Sequence, residues 1–330
     1  MIVGRPGYIL LVMLEHTSSA DGGHSGLTIG FDIGGTNLRA AVINPAGEIV
    51  DSTSVPTARE AQTLEDDIVR CVDNLAASHD IEAVGLALAG FLDPECEVVR
   101  FAPHLPWRNA PVREILSRRL DVPVRLEHDA NSAAWGEWRF GAGRGAKEWV
   151  FFAVGTGIGA TLFTEGKIYR GAFGTAPEFG HLVVSPGGRL CPCGKRGCLE
   201  RYASGTALPD TCAELRGEYD TTLPENPSGE EITAAARQGD PLGIAVMENF
   251  GQWLGQGLSM VADVLDPELI VIGGGVSKDA DLYLDQARDA MARQIVGAGH
   301  RPLARVATAK LGSAAGMIGV ADLARQEHRG

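Results

Sequence analysis

The sequence predicts an α/β protein organised as two related lobes, each with a mixed sheet. Strand-like and helix-like segments alternate along the chain, as they do in proteins whose helices cover a sheet. A β-hairpin with a glycine-rich turn opens the first half near residue 27, and a similar hairpin recurs near residue 149. The length of 330 residues is also enough for about two domains.

The elements of the first half follow in order from its hairpin. From Leu27 apolar residues alternate with Thr28, Gly30 and Asp32, which is the period of a half-buried strand. The glycine turn at 34–37 leads into a second strand at 38–44. An amphipathic helix over 59–78 is predicted from its apolar spacing. The remaining predictions are a strand over 83–89, a helix over 111–120, a strand over 122–127 and a helix after Asp129.

The second half repeats the opening pattern and then becomes helical. The apolar run 149–154, the glycine turn 155–159 and the run 160–163 predict the second hairpin. A long helix over 242–265, a strand over 269–273, a helix after Ser277 and a C-terminal helix over 312–325 complete it. The stretch 171–206 is unusually long for a loop in a compact domain, and such loops are often functional.

These patterns suggest where the domains begin and end. Residues 15–26 are polar and rich in glycine and serine, so 1–26 is predicted to be a flexible N-terminal extension. Its seven consecutive apolar residues, 8–14, are too few to cross a bilayer. We expect a small α/β lobe from 27–133 plus 305–330, and a large α/β lobe from 134–304.

Composition and charge narrow the class of partner. Hydrophobic residues make up 45 % of the chain and charged residues 22 %, as in an ordinary globular protein. Acidic residues outnumber basic ones, 42 to 29, and the net charge is −13. Nucleic acid is therefore an unfavourable partner, because affinity for its backbone comes from cations. We expect a cytoplasmic protein with no membrane partner.

The two glycine turns are candidate phosphate sites. Backbone N–H groups in such turns can point inward with no Cβ in the way, which forms an anion-binding concavity. An ordinary hairpin turn explains either one equally well, but the repetition favours phosphate. The turn 155–159 lacks dinucleotide-binding spacing and runs into a strand, and no P-loop motif occurs. Asp32 would add a carboxylate near phosphate-bound Mg²⁺, or would only bond a turn amide.

Asp129 has two possible roles, and its position in the sequence supports both equally. It stands between a predicted strand and a predicted helix, where an Asp commonly caps the helix. The same carboxylate would also lie at the mouth of an interlobe cleft, where it could accept a proton from a substrate hydroxyl. Kinases need one such carboxylate to orient and deprotonate the acceptor.

A cluster of one histidine and three cysteines predicts a metal site. His181, Cys191, Cys193 and Cys198 provide one nitrogen and three sulfur donors, a set typical of closed, structural Zn²⁺ sites. Gly194 and Gly197 permit a tight loop. The alternative, small buried thiols beside an unrelated histidine, is weaker because three cysteines this close in a loop cannot all be core residues. Such clusters are typical of a reducing compartment.

Six motifs together carry a resemblance to a known family. They are DIGGTNLRAAVIN at 32–44, EHDANSAAWGE at 127–137, VGTGIGA at 154–160, EFGH at 178–181, CPCGKRGCLE at 191–200 and IGGGVS at 272–277. This combination resembles the ROK family of sugar kinases and covers nearly everything from Leu27 onward. The segment RYASGTAL at 201–208 is similar to the bacterial glucokinases within that family.

The resemblance implies a two-lobed, actin/hexokinase-like ATPase fold with an interlobe cleft. It implies ATP, Mg²⁺ and a structural Zn²⁺ as cofactors, a hexose as substrate, and Asp129 as the catalytic base. The expected hexose ligands are Gly90, His128, Glu178, His181 and Glu200, and the zinc ligands are His181, Cys191, Cys193 and Cys198. Nucleotide would lie against Asp32, Gly34, Gly35, Thr36, Asn37, Gly155, Thr156, Gly157, Gly159, Gly273, Gly274 and Gly275.

Two departures from the family pattern concern the sugar. Members usually carry Asn where this chain has His128, and Gly where it has Pro177. The expected reaction is ATP-dependent phosphorylation of glucose at its 6-hydroxyl. The alternatives are a kinase for N-acetylmannosamine or another hexose, and a sugar-sensing regulator, since the family includes repressors. A dinucleotide-dependent oxidoreductase is disfavoured by the hairpins. A homodimer or homotetramer is expected.

Overall fold

A computed structural model describes residues 26–329 of the chain. The predicted flexible extension therefore lies outside the described residues, except for Gly26. The described chain forms two five-stranded mixed sheets, one in each half, and a small three-stranded sheet.

The first sheet has the strand order β3-β2-β1-β4-β8. β1 pairs antiparallel with β2 and parallel with β4, and β4 continues parallel to β8. The bounds are β1 (Leu27–Ile33), β2 (Asn37–Ile43), β3 (Ile49–Pro56), β4 (Ile81–Leu88) and β8 (Val124–His128). β5 (Phe91–Leu92), β6 (Val99–Phe101) and β7 (Arg108–Ala110) form the small sheet.

The second sheet repeats the topology of the first. Its order is β11-β10-β9-β12-β13, with an antiparallel β9–β10 hairpin and parallel β9–β12 and β12–β13 pairs. The bounds are β9 (Trp149–Val154), β10 (Ile158–Thr164), β11 (Lys167–Tyr169), β12 (Leu269–Gly273) and β13 (Arg305–Thr308). The two related halves predicted from the hairpins are therefore confirmed at the level of strand order.

Eight α-helices flank these sheets within residues 26–329. They are α1 (Ala61–Ala76), α2 (Val112–Ser117), α3 (Asp129–Phe140), α4 (Ala207–Leu215), α5 (Gly229–Arg237), α6 (Pro241–Leu265), α7 (Leu284–Gln294) and α8 (Ala315–Arg329). None of them is long and apolar enough to cross a membrane.

Each sheet has its own hydrophobic core, and α8 joins the halves. One core packs the first sheet against α1 and α2, and another packs the second sheet against α4 to α7. α8 returns from the second sheet to lie on β1, β4 and α3. It approaches closely because Gly85 in β4 leaves room for the backbone of Val320, and a Cβ on Gly136 of α3 would lie 2.6 Å from the carbonyl oxygen of Ala315.

The domain boundary expected at residue 305 is not where the strand pairing places it. β13 pairs with β12 in the second sheet, so 305–308 lies with the large lobe and only α8 returns to the first. A four-residue strand next to a helix carries too little periodicity to be assigned from sequence. The helix expected after Ser277 also starts differently: a 3₁₀ helix covers Gly275–Leu282, and α7 begins at Leu284.

Candidate active site

A cavity of about 500 Å³ lies where the two lobes meet. Such a volume is within the usual range for small-molecule sites. The first half contributes Ala89 after β4 and the junction of β8 with α3, and the second half contributes the glycine turn after β9. Its lining residues are Ala89, His128, Asp129, Ala130, Ala153, Gly155, Thr156, Gly157, Ile158, Gly159, Ala160, Pro177, Glu178, Glu200 and Gly274.

Asp129 is the first residue of α3 and stands at the wall of this cavity. The helix N-cap position belongs to His128, which makes no side-chain cap bond, so the capping role considered for Asp129 does not apply. The Oδ1 atom of Asp129 accepts a 2.7 Å hydrogen bond from the N–H of Ala130 and lies 3.3 Å from Nδ1 of His128. The side chain is 45 % exposed, so its carboxylate is open to a ligand in the cavity.

The second glycine turn lines the same cavity as Asp129. Nothing stands within 4 Å of a Cβ built on Gly155, whereas a Cβ on Gly157 would lie 2.8 Å from Oε2 of Glu200. The turn is held by the N–H of Gly205, which donates to the carbonyl of Gly155, and by the Thr206 hydroxyl, which donates to that of Thr156. The turn therefore leaves open space beside Gly155, whose own N–H donates to the carbonyl of Gly157, and its role in binding an anion stays a prediction.

The third glycine loop lies beside the second turn. Gly274 has a φ of +80°, and its α-carbon packs so closely on the Val154 carbonyl at the end of β9 that a side chain would collide with it. Gly274 lines the cavity, but Gly273 and Gly275 do not. A Cβ on Gly273 would meet the ring of Phe151, so its small size serves packing.

The first glycine turn lines a separate cavity of about 560 Å³. Gly35 and Thr36 face it together with His104, and a Cβ on Gly35 would lie 2.8 Å from the Cβ of His104. Asp32 forms an ion pair with Arg39, the residue opposite it in the hairpin. The arrangement of the described residues does not bring 34–37 into the cavity that holds Asp129.

The carboxylates of Glu178 and Glu200 converge on His181. Nε2 of His181 lies 3.8 Å from Oε2 of Glu178, and Nδ1 lies 3.5 Å from Oε1 of Glu200. Partial burial raises the pKa of Glu178; the charges of Glu200 and Asp129 add to this effect, and His181 and His128 oppose it. The cavity therefore presents several hydrogen-bonding groups close together, a polar set suited to a polyhydroxyl ligand.

The donor atoms of His181, Cys191, Cys193 and Cys198 lie within 4.8 Å of one another. Sγ of Cys193 lies 3.6 Å from Sγ of Cys198, and Sγ of Cys191 lies 3.6 Å from Nδ1 of His181. Zn–S bonds of about 2.3 Å in a tetrahedron place two sulfurs about 3.8 Å apart, so the cluster fits Zn²⁺. Gly194 and Gly197 take φ values of +91° and +81°, as the tight loop requires.

Some of the site residues predicted from the sequence line the cavity, and others do not. It includes His128, Asp129, Gly155, Thr156, Gly157, Gly159, Glu178, Glu200 and Gly274. His181 lies close to Glu178 and Glu200, whereas Gly90 packs against Phe101 and Ala102 and does not line the cavity. The sequence patterns did not identify the alanines that line the cavity, Ala89, Ala130, Ala153 and Ala160. Their position at strand ends or beside the glycine turns was the one feature that could have indicated them.

Comparison with known proteins identifies the family. The model of the ROK family matches residues 28–327. The chain is 41 % identical over 312 residues to a glucokinase from Streptomyces coelicolor, covering 91 % of this chain and 98 % of that protein.

Solved structures give the same picture. A ROK family glucokinase from Streptomyces griseus, in complex with glucose and AMPPNP, is 42 % identical, with a TM-score of 0.79 over 91 % of this chain and all of that one. A ROK hexokinase from Thermus thermophilus is 31 % identical, with a TM-score of 0.78 over 92 % of this chain and 99 % of that one. The actin/hexokinase-like fold expected from the sequence motifs is confirmed. This chain belongs to the ROK family.

Proposed function

We propose that this chain is an ATP-dependent hexose kinase that phosphorylates glucose at its 6-hydroxyl. The observation that carries the proposal is one cavity between the lobes that is lined both by the solvent-exposed carboxylate of Asp129 and by an open glycine turn. Identity of 41 % to a glucokinase over nearly its whole length supports the choice of glucose and ATP. An oxidoreductase is disfavoured because both glycine turns join the strands of antiparallel hairpins.

Asp129 acts as the base in this proposal. Its Oδ1 atom is engaged by the backbone of Ala130, which fixes the carboxylate, while the side chain remains open to the cavity. The sugar 6-hydroxyl gives its proton to the carboxylate of Asp129. At the same time the hydroxyl oxygen forms a bond to the γ-phosphorus of ATP. The bond between that phosphorus and the β,γ-bridging oxygen breaks, and ADP leaves.

Glu178, His181 and Glu200 bind the sugar hydroxyls together with His128, which lines the same cavity, whereas Gly90 lies outside the cavity lining and is expected to contribute only if its loop moves. His181 can serve both metal and sugar because Nδ1 lies near Cys191 of the cluster, as well as near Glu200, while Nε2 lies toward Glu178. Carboxylates accept hydrogen bonds from hydroxyls, whereas the imidazole of His128 can donate or accept one. That imidazole replaces the amide usual in the family, so it is the residue expected to alter sugar preference.

The glycine turns bind the phosphates of ATP. The 155–159 turn offers space for an anion at Gly155, and the 34–37 turn approaches from the other lobe when the lobes close. The loop 273–275 lies on the adenosine side. Asp32 is the carboxylate expected near Mg²⁺, which commonly takes one or two carboxylates beside substrate phosphates and neutralises their charge.

His181, Cys191, Cys193 and Cys198 hold a structural Zn²⁺. A closed set of four protein ligands leaves no position for substrate on the metal. The bound metal would hold the segment between Glu178 and Glu200 in one conformation, so that both carboxylates keep their positions in the cavity. Backbone hydrogen bonds from Val184 and Leu199 already close this segment into a hairpin-like loop.

A coupled assay of ADP formation across a panel of hexoses tests this proposal. Glucose with ATP and Mg²⁺ is expected to give the highest kcat/KM, and NMR of the product should place the phosphate on oxygen 6. N-acetylmannosamine is included because it is the competing substrate. Absence of ADP formation with every hexose would reject the proposal, whereas a higher kcat/KM for N-acetylmannosamine would reject only the choice of sugar.

A further inference from the structure

The residue before His128 is a fully buried carboxylate that the proposed reaction does not use. The side chain of Glu127, at the end of β8, is only 1 % exposed. Burial alone would raise the pKa of Glu127, but the guanidinium groups of Arg170 and Arg125 outweigh it and leave the pKa below its ordinary value. The carboxylate also accepts a 3.0 Å hydrogen bond from Asn131 of α3 and a 3.1 Å one from the N–H of His128.

The two arginines come from different lobes. Arg125 stands on β8 itself, 3.1 Å from Glu127, and also pairs with Glu327 of α8, so it belongs to the first lobe. Arg170 follows β11 in the second sheet and forms its ion pair with Glu127 across the junction of the lobes. Of these two ion pairs, the one with Arg170 therefore connects the end of β8, which leads into Asp129, with the second lobe.

Arg170 begins a segment, 170–176, that crosses onto the first lobe and ends beside Pro177 and Glu178. The Arg170 carbonyl accepts a hydrogen bond from the N–H of Ala176, which closes the segment into a loop. Gly174, with a φ of +80°, lies against the β5 end of the first lobe, so that an added Cβ would stand 3.0 Å from the Leu92 carbonyl oxygen. The loop thus contacts the first lobe through the Arg170–Glu127 ion pair, through the backbone at Gly174, and through a 3.4 Å hydrogen bond from Nη1 of Arg100 to the Phe173 carbonyl.

We propose that the Glu127–Arg170 ion pair positions Glu178 for sugar binding by holding the 170–176 loop against the first lobe. The inference rests on the proposed function and adds positioning residues to it. One end of the buried pair is two residues from Asp129 and the other is eight residues from Glu178, so it sets the spacing between the base and a sugar ligand. A buried carboxylate suits this role because loss of Arg170 would leave its charge compensated only by Arg125 and Asn131, which favours the paired geometry.

The test compares Arg170→Gln with the matched control Arg125→Gln. Both variants remove one guanidinium from Glu127, but only the first removes a contact between the lobes. Arg170→Gln is expected to raise KM for glucose at least about tenfold, while KM for ATP stays within about twofold, because a displaced ligand loop mainly weakens sugar binding. Arg125→Gln is expected to lower thermal stability and leave both KM values within about twofold. Arg170→Lys should restore part of the glucose affinity.

A second variant acts on the loop without touching the buried charges. Gly174→Ala pushes the loop away from Leu92 and is expected to raise KM for glucose in the same direction. Equal KM values for glucose in Arg170→Gln and Arg125→Gln would overturn the proposal. If Arg170→Gln does not fold, an unchanged KM for glucose in Gly174→Ala would overturn it. Failure of the unsubstituted protein to phosphorylate glucose would instead count against the proposed function.

Discussion

The variant Asp129→Asn separates the effect of this carboxylate on catalysis from its effect on the helix that it begins. Asparagine has nearly the same shape, and its carbonyl oxygen can still accept the 2.7 Å hydrogen bond from the N–H of Ala130. The lost charge at the first turn of α3 is worth about 0.3–1 kcal/mol of stability. Loss of a general base slows a reaction by about 10²–10⁴-fold, or about 3–5 kcal/mol of barrier.

The two magnitudes differ enough for one set of measurements to distinguish them. We expect kcat to fall at least about 100-fold in a coupled assay, glucose binding by calorimetry to persist, and the free energy of unfolding to change by less than about 1 kcal/mol. Asp289→Asn, on the exposed face of α7, is the matched control and should leave kcat unchanged. A kcat for Asp129→Asn within about threefold of the unsubstituted value would refute the assignment of the base.

Three further predictions concern the metal cluster, the second glycine turn and acid stability. Cys193→Ser should lose zinc by elemental analysis, whereas Cys71→Ser, outside the cluster, should keep one zinc per chain; full zinc in the first variant would reject the ligand set. Gly157→Ala should raise KM for glucose, since its Cβ would lie 2.8 Å from a cavity carboxylate, while Gly217→Ala, with nothing within 4 Å, should not; equal KM values would contradict the geometry. Asp240 is desolvated, but backbone and hydroxyl donors lower its pKa from 3.8 to about 2, so its contribution to stability is full above pH 4 and lost as the pH falls toward 2. Asp240→Asn should flatten that part of the denaturation profile, and an unchanged slope would count against it.

The two hairpins of central strands could be predicted from the sequence because they carry strong local signals, whereas the order of the strands in each sheet could not. Both hairpins combine alternating or continuous apolar runs with glycine turns, and the structure pairs them antiparallel as expected. β3 was not predicted because it is an edge strand whose residues are mostly exposed, so its sequence shows no alternation of apolar and polar residues. α5 did have a readable start, the capping box formed by Ser228 and Glu231, which the sequence analysis did not use.

The candidate site could be predicted from the sequence only where a local motif indicates it. The cysteine cluster follows from spacing, and the structure brings its donor atoms together. The Glu127–Arg170 pair joins residues 43 positions apart from different sheets, so no local pattern indicates it. The separation of the 34–37 turn from the cavity also depends on how the lobes are arranged, which neither periodicity nor spacing encodes.

A crystal structure with glucose bound tests the central claim most directly, because that claim places one carboxylate against one hydroxyl. We expect the 6-hydroxyl oxygen to lie about 2.5–3.0 Å from a carboxylate oxygen of Asp129, within hydrogen-bond range. A sugar bound with oxygen 6 more than about 10 Å from Asp129, roughly three hydrogen-bond lengths, would contradict it.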